Sequence, residues 1–184
     1  MAKKHTWIAL FRGVNVGGKH IVPMQELRQL FTELGLNEAR TYIQSGNVVF
    51  RTASQDRDRL AADVTKAVDE RYGFEPKVLL MEVEALAAAI ARNPYPRAES
   101  SPKSLHLYFF YQDPPNPDIA GLNEWKSATE HFTLIDRVLY LHAPDGIGRS
   151  KLAERIEKLV GVGATARNWR STTKILAMAK DLAG

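Results

Sequence analysis

The chain has 184 residues, of which 45% are hydrophobic and 25% are charged, with a net charge of +4 and no cysteine. These values are typical of a globular protein with one large or two small domains, and the lack of cysteine excludes disulfides, zinc–thiolate sites and thiol catalysis. The apolar run after Lys3 and Lys4 is too short for a signal peptide or a membrane span, so we expect a cytoplasmic protein without a membrane partner. The sequence does not fix the oligomeric state, for which we favour a monomer.

The positive charge is concentrated at the two ends of the chain. Residues 1–28 carry five Lys or Arg and one Glu, and residues 149–174 carry seven Lys or Arg and two Glu. Two basic ends around an acidic middle predict an anionic partner if the ends meet in space. Solvated helix faces are the alternative interpretation.

The first half, residues 1–81, predicts the βαββαβ order of a ferredoxin-like fold. Two short strands separated by Ser45 and Gly46 indicate a β-hairpin in which Gln44 lies opposite Asn47. Ser54 is predicted to cap the second helix. The predicted elements are a strand at 6–11, a helix from Pro23 to Gly35, strands at 38–44 and 47–52, a helix from 54 to 72, and a strand at 77–81.

A helix and a proline-rich connector at 82–104 lead to a second half at 105–184. The predicted order of the second half is βαββα, the same plan without its last strand, followed by an extra C-terminal helix. Its hairpin turns at Asp136 and Arg137, which places His131 opposite His142. The similar order of elements predicts a duplicated fold, with mostly antiparallel sheets in an α+β protein.

The glycine-rich, basic loop at residues 12–19 invites comparison with known nucleotide-binding motifs. It matches a phosphate loop up to Lys19, but His20 replaces the hydroxyl residue that holds magnesium, and Pro23 delays the helix. The spacing of its glycines is also not that of a dinucleotide-binding turn. The sequence therefore does not predict a nucleotide triphosphatase or a Rossmann site.

Catalytic and metal sites have little support in the sequence. His131 and His142 lack a third ligand, so we interpret them as surface residues of a hairpin. Ser45 lacks both the nucleophile-elbow pattern and a neighbouring histidine. We assign no catalytic residue, no metal and no cofactor.

The C-terminal motif at residues 165–174 leads into the last helix. Arg170 before the helix and Lys174 in its first turn are unusual, because the positive end of a helix dipole favours anions there. One interpretation is an anion site. The other is that Trp169 anchors the segment in the core while the cations face water.

Three motifs carry a resemblance to a known family. Residues 11–19 together with Met24 and Leu27, residues 41–50, and residues 165–170 resemble the bacterial family called domain of unknown function 1697. The resemblance covers essentially the whole chain. It implies two linked α+β halves of ferredoxin-like character and a set of suspect residues, but no activity.

We hypothesise that three polar loops converge and bind an anionic, phosphate-bearing ligand. Cations would supply charge, amides would supply directed hydrogen bonds, and glycine N–H groups would form an anion-binding nest. The candidate residues are Arg12, Asn15, Gly17, Gly18, Lys19, Gln44, Ser45, Asn47, Arg167, Asn168 and Lys174.

Two alternative hypotheses belong to other functional classes. The same polar residues are structural glue between the halves if their side chains are enclosed and hydrogen-bonded to the backbone. The third hypothesis is nucleic-acid binding over an open sheet face. It predicts that Trp7 and Phe11 are exposed, although the RNA-recognition pattern of aromatic residues is incomplete in residues 45–50.

Overall fold

The computed structural model describes residues 4–184, so Lys3 of the basic N-terminal stretch lies outside the described residues. The chain divides into two compact units. One unit comprises the residues up to Ala88 together with Thr173–Gly184, and the other comprises Ala89–Thr172. The C-terminal residues thus group with the first unit, whereas the sequence-based division assigned them to the second half.

The first unit has the predicted βαββαβ order. Its sheet is antiparallel, with the strands in the order β2-β3-β1-β4. The core lies between this sheet and two helices, because alternate residues of β1 (Trp7, Ala9 and Phe11) pack with the apolar faces of α1 and α2. The elements are β1 (His5–Arg12), α1 (Met24–Glu33), β2 (Asn37–Tyr42), β3 (Asn47–Thr52), α2 (Arg57–Tyr72) and β4 (Lys77–Glu82).

Two local predictions in the first unit are wrong. The first hairpin pairs Tyr42 with Asn47, so its loop has four residues and the predicted pairing of Gln44 with Asn47 does not form. The cap of α2 is Asp56, whose carboxylate accepts a hydrogen bond from the Arg59 N–H at 3.0 Å. Ser54 instead accepts a hydrogen bond from the Asp56 N–H, one step before the helix.

The second unit repeats the plan, with an antiparallel sheet in the order β6-β7-β5-β8. Its core packs one face of this sheet against α4 and α5. Two further helices, α3 (Val83–Ala91) and α6 (Trp169–Ala183), each span a boundary between the units. The elements of the second unit are β5 (Leu105–Phe110), α4 (Ile119–Trp125), β6 (His131–Ile135), β7 (Val138–His142), α5 (Ile156–Val160) and β8 (Ala164–Asn168).

The prediction that the second half lacks its last strand is wrong, because residues 164–168 form β8. This strand pairs antiparallel with β5, from Phe110 opposite Ala164 to His106 opposite Asn168. Its sequence, Ala-Thr-Ala-Arg-Asn, has no large apolar residue and therefore gives no strand signal of its own. The strand conformation of residues 164–168 is therefore stabilised by pairing with the apolar strand β5.

The predicted α+β class is confirmed, with two four-stranded antiparallel sheets and helices on each. Within residues 4–184, no helix combines the length and apolar character that crossing a membrane requires.

Candidate functional site

Two of the three predicted loops meet in the first unit. The Phe11 N–H donates a hydrogen bond to the carbonyl of Gly46 at 2.8 Å, and the Asn15 amide donates to the carbonyl of Gln44 at 2.8 Å. We call this surface, residues 12–22 together with residues 43–47, the loop edge. It lies where β1 ends and β3 begins.

Gly17 and Gly18 of the loop edge form a tight hairpin turn. Val16 and Lys19 are bridged, and the Lys19 N–H donates to the Val16 carbonyl at 3.1 Å. Gly17 and Gly18 between them both have positive φ, 59° and 73°, as a two-residue type I′ turn requires. Within residues 4–184 the N–H groups of both glycines donate to no acceptor, and both glycines are exposed. The predicted nest is therefore a hairpin tip with two available donors.

Asn15 holds the glycine hairpin in place. Its amide nitrogen donates to the carbonyls of Val22 and Gln44, at 2.9 and 2.8 Å, and its amide oxygen accepts from the Val22 N–H at 2.8 Å. Asn15 also has φ of 56°, a conformation that asparagine tolerates better than most residues. Its side chain therefore serves the loop and is not directed at a ligand.

Replacing Asn15 by alanine is expected to destabilise the first unit by about 2 kcal/mol. The change leaves the Val22 N–H and two carbonyls without their partner and puts a Cβ-bearing residue without local hydrogen bonds at positive φ. Urea unfolding measures the loss. Asn15→Gly is the control, because it removes the amide but tolerates the backbone; an unchanged stability in that variant would show that the three hydrogen bonds contribute nothing.

His20 also has a structural role. Its Nδ1 lies 3.1 Å from the carbonyl oxygen of Gly13, and its ring stacks on Phe74 with centroids 4.3 Å apart. The position that holds magnesium in a phosphate loop is thus filled by a ring packed on an aromatic neighbour.

The second loop is stabilised by Asn47, which is fully buried. Its amide donates to the Tyr42 carbonyl at 3.0 Å and to the Ser45 hydroxyl at 2.9 Å. These hydrogen bonds close the four-residue loop. Gln44, between them, is exposed and offers its side chain to solvent.

The loop edge contains two cations, Lys19 and Arg12. Lys19 is exposed, and no carboxylate within residues 4–184 forms an ion pair with it. Arg12, at the end of β1, lies directly opposite Lys77, at the start of β4. This pairing places two cationic side chains at neighbouring strand ends. Sequence analysis missed Lys77, although the pairing of β1 with β4 in a ferredoxin-like sheet was the signal that places it there.

In the third motif, two of the candidate residues make local bonds within the second unit. Asn168 caps α6, since its side-chain oxygen accepts from the Ser171 N–H at 2.9 Å. The Arg167 guanidinium donates to the Thr165 hydroxyl at 3.0 Å and to the Ala166 carbonyl at 2.8 Å. Burial lowers the pKa of Arg167 to about 10.

The last helix begins two residues earlier in the motif than the sequence suggested. Its first residue is Trp169, which is buried, so Arg170 lies inside the first turn and not before the helix. Lys174 is exposed and belongs to the first unit, whereas Arg167 and Asn168 belong to the second. The convergence of all three motifs stays a prediction.

The two histidines of the second hairpin are paired as predicted. His131 lies opposite His142, with ring centroids 6.3 Å apart, and Tyr95 lies against both rings. Burial and the neighbouring His131 lower the pKa of His142. In the part of the chain that the structure describes, no group of three or more His, Cys, Asp or Glu residues could hold a metal ion.

The aromatic platform expected for nucleic-acid binding is not exposed. Trp7 is 3% exposed and Phe11 is 2% exposed, and both belong to the core of the first unit. The indole N–H of Trp7 donates to the Ser54 carbonyl at 3.2 Å. Neither ring can stack on a base without unfolding of that core.

Comparisons with known proteins agree with this architecture. The family model described as "Protein of unknown function (DUF1697)" matches residues 4–140. Among solved structures, the chain is similar to the conserved bacterial protein SP0830 from Streptococcus pneumoniae, with 24% identity and a TM-score of 0.73 over 96% of this chain and 99% of that chain. At this identity the likeness shows the fold alone, and a search of curated proteins gave no match. Because the family model covers most of its length, the chain belongs to the DUF1697 family.

Proposed function

We propose that the loop edge binds a small phosphate-bearing anion in the cytoplasm. The observation that supports this proposal is the exposed tip of the glycine hairpin, where the N–H groups of Gly17 and Gly18 have no acceptor within residues 4–184 and Lys19 has no acidic partner there. N–H donors beside an ammonium group are the complement of phosphate oxygens.

The polar candidates of the first unit divide into two groups by what their side chains contact. The side-chain amides of Asn15 and Asn47 donate hydrogen bonds to backbone carbonyls and to the Ser45 hydroxyl. These hydrogen bonds hold the two loops in one conformation. Gly17, Gly18, Lys19 and Gln44 remain at the surface. Because the loops are already ordered by these hydrogen bonds, a ligand at the exposed N–H donors pays a smaller entropic cost of binding.

The positive field of the loop edge also favours an anion. Lys19 and Arg12 both belong to the loop edge, and Lys77 of β4 lies opposite Arg12. Because the site is open to solvent, salt should weaken the binding, and we expect a dissociation constant on the order of 0.1–1 mM for inorganic phosphate.

Four of the candidate residues have structural roles inside their own unit, and the hypothesis of glue between the halves stays a prediction. Asn15, Asn47, Asn168 and Arg167 all donate to or accept from backbone or hydroxyl groups of their own unit. We therefore confine the proposed ligand contacts to the exposed tip and Gln44. Nucleic-acid binding over the sheet loses its support, since Trp7 and Phe11 are buried.

Replacing Lys19 by glutamine is expected to weaken phosphate binding about tenfold, because it removes one charge-assisted hydrogen bond. Isothermal titration of pyrophosphate and inorganic phosphate at constant ionic strength measures the change. Lys180→Gln is the matched control, since Lys180 is also an exposed lysine of the first unit and its loss changes the net charge equally. Equal affinity of the wild type and both variants, or no binding by any of them, would contradict the proposal.

A further inference from the structure

The loop edge also carries an unusual share of exposed aliphatic side chains. Val16 is 63% exposed, Ile21 is 58% exposed and Ile43 is 53% exposed. They are three of the six large hydrophobic residues exposed within residues 4–184; the other three are Leu34, Ile119 and Trp125. Singly exposed aliphatic residues are ordinary, but three on two short, hydrogen-bonded loops need an explanation.

Anchoring of the loop does not explain them. Val14 and Val22 are buried, and they fix the two ends of the glycine hairpin in the core of the first unit. The amide of Asn15 adds its hydrogen bonds to Val22 and Gln44. Val16 and Ile21 lie between these anchors, and their side chains add nothing to the core.

Two of the three aliphatic residues adjoin residues of the proposed anion site. Val16 is the cross-strand partner of Lys19 across the Gly17-Gly18 turn. Ile43 precedes Gln44, whose carbonyl accepts the hydrogen bond from Asn15. Ile43 also has φ of 48°, which is unfavourable for a β-branched residue and is typical of strain kept at functional positions.

We infer that the ligand of the loop edge is an organic phosphate with an aliphatic group next to its phosphate. This inference rests on the proposed function, because it assigns the phosphate to the hairpin tip and the aliphatic group to Val16, Ile21 and Ile43. The aliphatic side chains favour an alkyl or acyl phosphate over a nucleotide, whose base would be expected to stack on an aromatic ring. Each methylene that the ligand buries should strengthen binding about fourfold.

A series of phosphate monoesters tests the inference. Isothermal titration compares inorganic, methyl, ethyl and butyl phosphate on the full chain at constant ionic strength. The wild type is expected to bind butyl phosphate at least tenfold more tightly than methyl phosphate. Val16→Thr and Ile21→Thr, which keep the β-branched shape, should lose most of this gain and keep their affinity for inorganic phosphate.

The control and the contrary outcomes separate the two proposals. Ile119→Thr removes another exposed aliphatic side chain, 43% exposed and in the second unit, and should keep the full gain. Equal affinity along the ester series, with inorganic phosphate still bound through Lys19, would overturn the inference and leave the proposed function standing. No binding of any phosphate would overturn both. Sedimentation with phosphatidic acid vesicles without binding of butyl phosphate would also overturn the inference, because the ligand would then be a membrane surface.

Discussion

Replacing Gly46 by alanine is expected to destabilise the first unit by about 3 kcal/mol, as measured by urea unfolding. Gly46 has φ of 66°, and a Cβ at this position would lie 2.6 Å from Cβ of Phe11 and 3.2 Å from Cγ2 of Val14. The cost combines positive φ at a residue with a Cβ, about 1–2 kcal/mol, with overpacking of a core, about 1–3 kcal/mol. Neither Phe11 nor Val14 can move away easily, since both are buried.

Gly35→Ala separates these two contributions. Gly35 has φ of 73°, and nothing lies within 4 Å of the position that its Cβ would take. It should therefore cost only about 1 kcal/mol. If both variants lost the same stability, overpacking against Phe11 and Val14 would contribute nothing to the cost of Gly46→Ala.

Acid should destabilise the second unit through His106. This residue lies in the middle of the sheet, opposite Leu141 on one side and Asn168 on the other, and its Nδ1 has no hydrogen-bond partner among the described residues 4–184. Burial lowers its pKa from 6.5 to about 4. Below pH 6.5 the His106 imidazole therefore binds a proton in the unfolded chain, whereas in the folded chain it stays neutral down to about pH 4. Stability is lost as the pH falls through this window, by about 2–3 kcal/mol.

The variant His106→Leu should not show this loss. Comparison of its urea unfolding with that of the wild type at pH 7, 5.5 and 4 isolates the contribution of the imidazole, because other titrating groups are common to both proteins. Leucine also removes a buried polar atom without a partner, so the variant should be at least as stable at pH 7. An NMR titration that gave His106 a pKa near 6.5, or an unchanged difference between the two proteins at all three pH values, would contradict this account.

The sequence was sufficient for the architecture where apolar patterns and turn residues agreed. The second hairpin is an example, because Asp136 and Arg137 form a two-residue turn and so fix the pairing of His131 with His142. The first hairpin was harder. Its turn contains Ser45 and Gly46, but the burial of Gly46 against Phe11 and the amide of Asn47 lengthen the loop to four residues.

The division of the polar residues could not be predicted, because it depends on backbone groups that are distant in the sequence. The side chain of Asn15 donates a hydrogen bond to the carbonyl of Gln44, 29 residues away, and no local sequence pattern predicts such a contact. Asn168 looked like a ligand residue, but β8 and α6 meet at this position and make it a helix cap. Lys77 becomes a neighbour of Arg12 only through the pairing of β1 with β4.

Residue-resolved NMR of the loop edge tests the proposed site. Inorganic phosphate is titrated into the isotope-labelled protein at constant ionic strength, and the backbone amide signals of Gly17, Gly18 and Lys19 are followed. We predict that these signals shift saturably and that Lys19→Gln weakens the response about tenfold. Amide signals of Gly17 and Gly18 that do not move at saturating phosphate, or that move equally in the Lys19→Gln variant, would contradict binding at the hairpin tip.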